Sequence, residues 1–118
     1  MKLKNARVLN DNRDFLRLYK KGRCQAGPLL VVNARRGGRR ERRVGITATK
    51  KVGGAVQRNR AKRLIRAAWR EVEAGVPGGW DFVFVARART SQVKMQKVRD
   101  AMAAQLRRAM APPRDKRL

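Results

Sequence analysis

Histidine is absent from this 118-residue chain, cysteine occurs once (Cys24), and aspartate and glutamate together number eight. A zinc site, a catalytic triad and a thiol redox pair each need more of these residue types than the chain supplies. The carboxylates are too sparse to activate water or hold a metal, so a nuclease acting by itself is poorly supported. Any chemistry must be supplied by something else. Aromatic residues are also few, two Trp, one Tyr and three Phe, which makes for a modest core. The longest apolar runs, Leu29 to Val32 and Phe82 to Ala86, fall far short of the ~20 residues a spanning helix needs. Met1 to Arg13 is polar and has no apolar stretch of the signal-peptide type. A cytoplasmic protein is therefore expected, with Cys24 a thiol and a small, half-buried residue.

Cations are what the chain has in excess. Lys and Arg number 32, for a net charge of +24. Charge this lopsided repels itself and is neutralised by a polyanion, nucleic acid first and anionic membrane second. Without a candidate span, membrane is the weaker reading. The length suits one domain, residues 1–118, with no room for a second.

Asn12 is placed to cap a short helix with apolar positions Phe15, Leu16, Leu18 and Tyr19, ending near Gly22. Pro28 opens a β-rich run, Leu29 to Val32. After a turn-like basic loop from Arg35 to Arg43, Val44 to Ala48 alternates, so the two runs are expected to form a hairpin. Residues 55–74 read as a long helix stopped by Gly75, Pro77, Gly78 and Gly79. Trp80 to Arg87 alternates again, with Trp80, Phe82, Phe84 and Ala86 on one face. A last helix is expected from Thr90 or Ser91 to about Met110, with Met95, Val98, Met102, Leu106 and Met110 in one stripe, followed by a loose tail from about residue 111. No internal repeat is visible. The order αβββαβα predicts a small α+β sandwich of sheet and helices.

Residues 58–70 carry the sharpest signal. On a helical wheel Asn59, Lys62, Arg63, Arg66 and Arg70 share an arc of about 100°, opposite Ala61, Leu64, Ile65, Ala68 and Val72. Trp69 falls on the border, and Glu73 intrudes on the basic side, where it would pair with Arg70 or close the end of the site. A basic helical face is usually just solvated surface. Here four cations sit together with no acid between Arg58 and Arg70, and like charges at this spacing destabilise a helix unless an anion compensates. Arginine outnumbers lysine 22 to 10, and guanidinium groups bind phosphate in bidentate fashion. Asn59 adds an uncharged group that can touch a sugar or base edge. Gly53-Gly54 lacks the nucleotide-loop pattern and reads instead as a turn presenting Lys50, Lys51 and the helix N-terminus to a nucleic acid backbone.

Arg43-Val44-Gly45-Ile46-Thr47, Lys50-Lys51-Val52-Gly53-Gly54-Ala55-Val56 and Arg58-Asn59-Arg60-Ala61-Lys62-Arg63-Leu64-Ile65-Arg66 closely resemble the protein component of bacterial ribonuclease P. Asp14-Phe15, Tyr19 and Gly22 resemble that family's first helix, and Ala86-Arg87 the end of its last strand. The resemblance implies a left-handed βαβ crossover around the second helix, an exception to the right-handed rule. It implies that Arg58, Asn59, Arg60, Lys62, Arg63 and Arg66 contact a catalytic RNA subunit. Phe15, Tyr19, Lys50, Lys51 and Arg87 would hold the single-stranded 5′ leader of precursor tRNA in a cleft between the first helix and the sheet. From spacing alone Phe15 and Tyr19 look as much like core as like stacking platforms. Two positions depart from the family: Ala61 replaces a larger aliphatic residue, and Asn33 stands where the cleft often carries an aromatic one. The implied reaction is hydrolysis of one phosphodiester by water, leaving a mature tRNA 5′ phosphate. No catalytic residue or metal site is expected in this chain, since Mg²⁺ would be held mainly by the RNA. Neither a small-molecule substrate nor a membrane partner is implied. Composition alone also fits a ribosomal protein or an RNA chaperone.

Overall fold

The computed structural model describes residues 7–9, 11–37 and 40–111. In chain order the elements are β1 (Arg7–Val8), α1 (Asn12–Lys21), β2 (Arg23–Ala26), β3 (Leu30–Arg36), β4 (Arg43–Thr47), α2 (Ala55–Val72), β5 (Trp80–Ala86) and α3 (Met95–Met110), with 3-10 turns at Lys50–Val52, Glu73–Gly75 and Ala88–Gln92. This is a small α+β fold. The loose tail expected beyond residue 111 lies outside the described residues, as does most of the polar N-terminal segment.

The strands form one mixed sheet in the order β1-β4-β5-β3-β2. β5 takes the centre because it is apolar on both faces: Phe82 and Phe84 point towards α2 and α3, Val83 and Val85 towards α1. The hairpin expected between the Leu29–Val32 and Val44–Ala48 runs does not form. β5 lies between them, antiparallel to β3 and parallel to β4, and α2 makes the β4-to-β5 crossover. The hairpin partner of β3 is instead β2, the third strand of the expected order, to which the sequence reading assigned no residues, with Cys24 opposite Asn33. Cys24 is exposed rather than half-buried, since it sits on the edge strand.

Asp11, not Asn12, caps α1. Its carboxylate accepts a 2.9 Å bond from the Arg13 backbone N–H, and that bond, with the charges of Arg13 and Arg17, holds the acid below its usual carboxylate range. The last helix starts at Met95, later than expected, because Thr90 closes a 3-10 turn first. The Thr90 Oγ1 accepts the Arg87 N–H at 2.9 Å and donates to the Leu29 carbonyl.

The main core lies between the sheet and α2 with α3, and Val98, Met102 and Leu106 of the α3 stripe are buried in it. Trp69, expected at the border, is 0% exposed, its ring centroid 5.7 Å from those of both Phe82 and Phe84. Burying so large a ring against the sheet aromatics outweighs its off-centre wheel position. Ala61 is fully enclosed, so the smaller residue leaves no exposed gap. Glu73 is also buried rather than on the basic face. Its backbone carbonyl accepts from Arg42, which donates to the Val76 carbonyl as well at 2.7 Å. Among the described residues no helix is long and apolar enough to cross a membrane.

Candidate nucleic-acid interface

α2 begins at Gly54 with no side-chain cap and no acid in its first turn, so its amide end and its cations meet the same surface. Asn59, Lys62, Arg63 and Arg66 line one shallow hollow of about 470 Å³, together with Val56. Arg66 is half-buried, and its Nε, shielded from solvent, has no hydrogen-bond partner among the described residues. Arg58 and Arg60 stand outside the hollow. Arg60 Nε donates to the Ser91 carbonyl at 2.9 Å and ties α2 to the 3-10 turn before α3, while Arg58 is half-buried. Val56 escaped the sequence reading although it is 75% exposed. The available signal was an aliphatic side chain beside the basic arc rather than on the apolar stripe.

A second groove, of about 990 Å³, opens at the start of β3. Lys50, Lys51, Arg87 and Arg89 surround it, over an apolar floor of Val31 and Val85. The Lys50–Val52 turn is held by Thr49, whose Oγ1 accepts from the Lys51 N–H at 3.4 Å, and is released into α2 through Gly53 at a φ of 139°. Thr90 pins the other wall, which carries Arg87 and Arg89. Arg89 was not anticipated.

Phe15 does not line that groove. It packs on the same face of the sheet, against the buried cluster of Leu9, Leu18 and Val83, to which the groove-floor residue Val85 also packs. Tyr19, one turn further along α1, is 47% exposed. Asn33 is buried on this α1 face, in register with Val83, and so places an amide where the resemblance would put an aromatic ring.

Arg43 fastens α1 to the sheet. Its Nε and Nη2 donate to the Asp81 carboxylate at 2.9 and 2.7 Å, and Nη1 lies 3.5 Å from Asp14 Oδ2 on α1. The Asp81 hydrogen bonds raise the guanidinium's pKa against the opposing cost of burial, so it stays charged. Among the described residues no three His, Cys, Asp or Glu side chains come together to hold a metal ion.

The family model described as Ribonuclease P matches residues 3–110. The chain belongs to the ribonuclease P protein component family. A ribonuclease P protein component of Dehalococcoides mccartyi strain CBDB1 is 39% identical over 92 residues, covering 78% of this chain and 75% of the relative. One from Herpetosiphon aurantiacus is 34% identical over 107 residues, covering 91% and 87%. Among solved structures, the Staphylococcus aureus RNase P protein matches with a TM-score of 0.78 at 29% identity, over 89% of this chain and 96% of that one. The Thermotoga maritima RNase P protein matches at 0.77 and 31%, over 88% and 98%. Membership connects the chain with an RNA partner and with the tRNA-processing ribonuclease holoenzyme, and the second of these separates it from the ribosomal-protein and chaperone readings.

Proposed function

We propose that this chain is the binding and positioning subunit of cytoplasmic ribonuclease P, with the catalytic centre in the RNA subunit. The α2 face binds that RNA through Asn59, Lys62, Arg63 and Arg66, with Arg58 and Arg60 flanking. The groove of Lys50, Lys51 and Arg87, extended by Phe15 and Tyr19 along α1, holds the single-stranded 5′ leader of precursor tRNA. Cations beside aromatic and aliphatic surface are what sequence-tolerant single-strand binding uses. The observation that carries the reading is the hollow on α2, where three cations and Asn59 converge. Such a site fits phosphate oxygens, which accept from guanidinium in bidentate geometry.

In this reading the Mg²⁺ that the hydrolysis requires is held mainly by the RNA, and this chain contributes affinity and orientation. The purified chain alone should leave precursor tRNA intact, and adding the cognate RNA subunit with Mg²⁺ should produce cleavage at the mature 5′ end. Robust cleavage at that position without RNA would overturn the division of labour.

A further inference from the structure

At the end of β3 opposite the leader groove, a third basic hollow, of about 430 Å³, opens outside both RNA surfaces described above. α1 ends at Lys21, the chain enters β2 at Arg23, and β3 ends in Arg35-Arg36. Across the ladders Arg23 pairs with Ala34 and Arg36 with Trp80, so strand alternation puts all four on the face that carries α3. Trp80 is half-buried and lines the hollow. Its ring lies 6.3 Å from that of Phe82 and nearly parallel to it, at 9°, while Phe82 stacks on Phe84 at 6.1 Å, so Trp80 is the outermost ring of a ladder anchored in the core.

The cations at this site differ in what they have left to give. Arg23 is engaged, its Nη1 donating to the backbone carbonyls of Ala109 and Ala111 at the end of α3. Lys21, Arg35 and Arg36 make no hydrogen bond or ion pair with a described residue. Asp81, opposite Arg35 on the ladder, is taken by Arg43. Arg36 beside a rigid, partly open indole, with Lys21 and Arg35 at the rim and all three cations without a side-chain partner among the described residues, offers two complementary contacts: phosphate on a guanidinium and a base on the ring. An acidic peptide would use the charges but leave the indole without a role.

We propose that this hollow binds a nucleotide of single-stranded RNA, with the base against Trp80, the phosphate on Arg36, and Lys21 and Arg35 at the rim. β3 spans about 20 Å between this hollow and the leader groove, so the nucleotide bound here is not one held there. The proposal rests on the RNA-binding reading of the chain but not on the leader assignment.

The test uses the full chain labelled with ¹⁵N and titrated with a short oligouridylate, an abasic phosphodiester strand of equal length, or inorganic phosphate. The Trp80 indole N–H should shift saturably with the oligouridylate and much less with the other two, while the buried Trp69 indole stays put. Arg36→Glu, at an exposed strand end, should weaken the affinity read at Trp80 by at least about fivefold without lowering the melting temperature. Amides from Val85 to Arg89 report the leader groove in the same spectra. If they move while Trp80 does not, the hollow is refuted and the leader reading stands; if neither moves, the single-strand reading of both fails. An equal response to abasic strand or phosphate overturns base stacking, and unchanged affinity in Arg36→Glu overturns the placement.

Discussion

A Cβ added at Gly45 would lie 2.5 Å from Phe15 Cε1 and 2.8 Å from the Leu9 carbonyl oxygen, so β4 needs glycine where the α1 ring rests on it. Gly45→Ala should therefore cost about 1 to 3 kcal/mol in chemical denaturation, since ring or strand must shift. Phe15 itself is half-buried, and Phe15→Ala should cost about 3 kcal/mol or less. If a leader base stacks there, the same variant should also lose roughly 1 to 3 kcal/mol of the preference for precursor tRNA with a leader over tRNA without one. Equilibrium binding of both RNAs beside a thermal melt decides it: lost stability with intact discrimination would make Phe15 a packing residue only. The Arg43–Asp81 pair makes a third residue-scale case, because both side chains are largely buried, at 16% and 9% exposure. Asp81→Ala leaves the guanidinium only its 3.5 Å contact to Asp14 and should destabilise by about 3 kcal/mol, whereas Arg43→Met with Asp81→Leu should recover part of that loss, Asp14 then losing its partner, as denaturation midpoints would show.

α2 shows what one element can carry by itself. Its 3.6-residue period sorts Ala61, Ile65 and Ala68 inward and Asn59, Arg63 and Arg70 outward, and the structure keeps that division. Replacing Arg63 and Arg66 together with Ala should leave the melting temperature nearly unchanged, because neither side chain makes an ion pair with a described residue. Binding to the RNA subunit should weaken, and the slope of log K against log salt should flatten by about 1 for each phosphate that is no longer neutralised. Titrations at several salt concentrations measure both. A slope equal to the parent's would assign the phosphates to other cations. The wheel misplaces Trp69 at this scale, since it treats helix positions alike and takes no account of two phenylalanine rings on the facing strand.

For the whole molecule, a charge of +24 on a chain with six aromatic residues makes the folded state responsive to anions. Sulfate or phosphate seated on native basic hollows should stabilise the fold by mass action, by about 2.7 kcal/mol at 100 times the dissociation constant. Circular dichroism melts at fixed ionic strength, with sulfate replacing chloride, test this; equal stability in both would count against specific anion sites. The basic surfaces lie on separate parts of the fold, the α2 face and both ends of β3, so the charge is spread over several hollows rather than gathered in one.

Short-range periodicity was enough to reveal the three helices, the aromatic face of β5 and the basic stripe of α2, because a 3.6- or 2-residue repeat is written into neighbouring positions. The Arg58-Asn59-Arg60 run and the lysine pair stood out for the same reason: their charges are contiguous in the chain. Strand order was not, since pairing Leu30 with Ala86 or Val44 with Phe82 joins residues whose neighbours carry no trace of each other. Only the folded sheet put Arg87 and Arg89 across a groove from Lys50 and Lys51, set Arg43 between Asp81 and Asp14, and brought Trp80 beside Arg23 and Arg36. Those arrangements depend on which apolar faces can be covered on both sides at once, a condition settled by packing of the whole chain and not by any local segment.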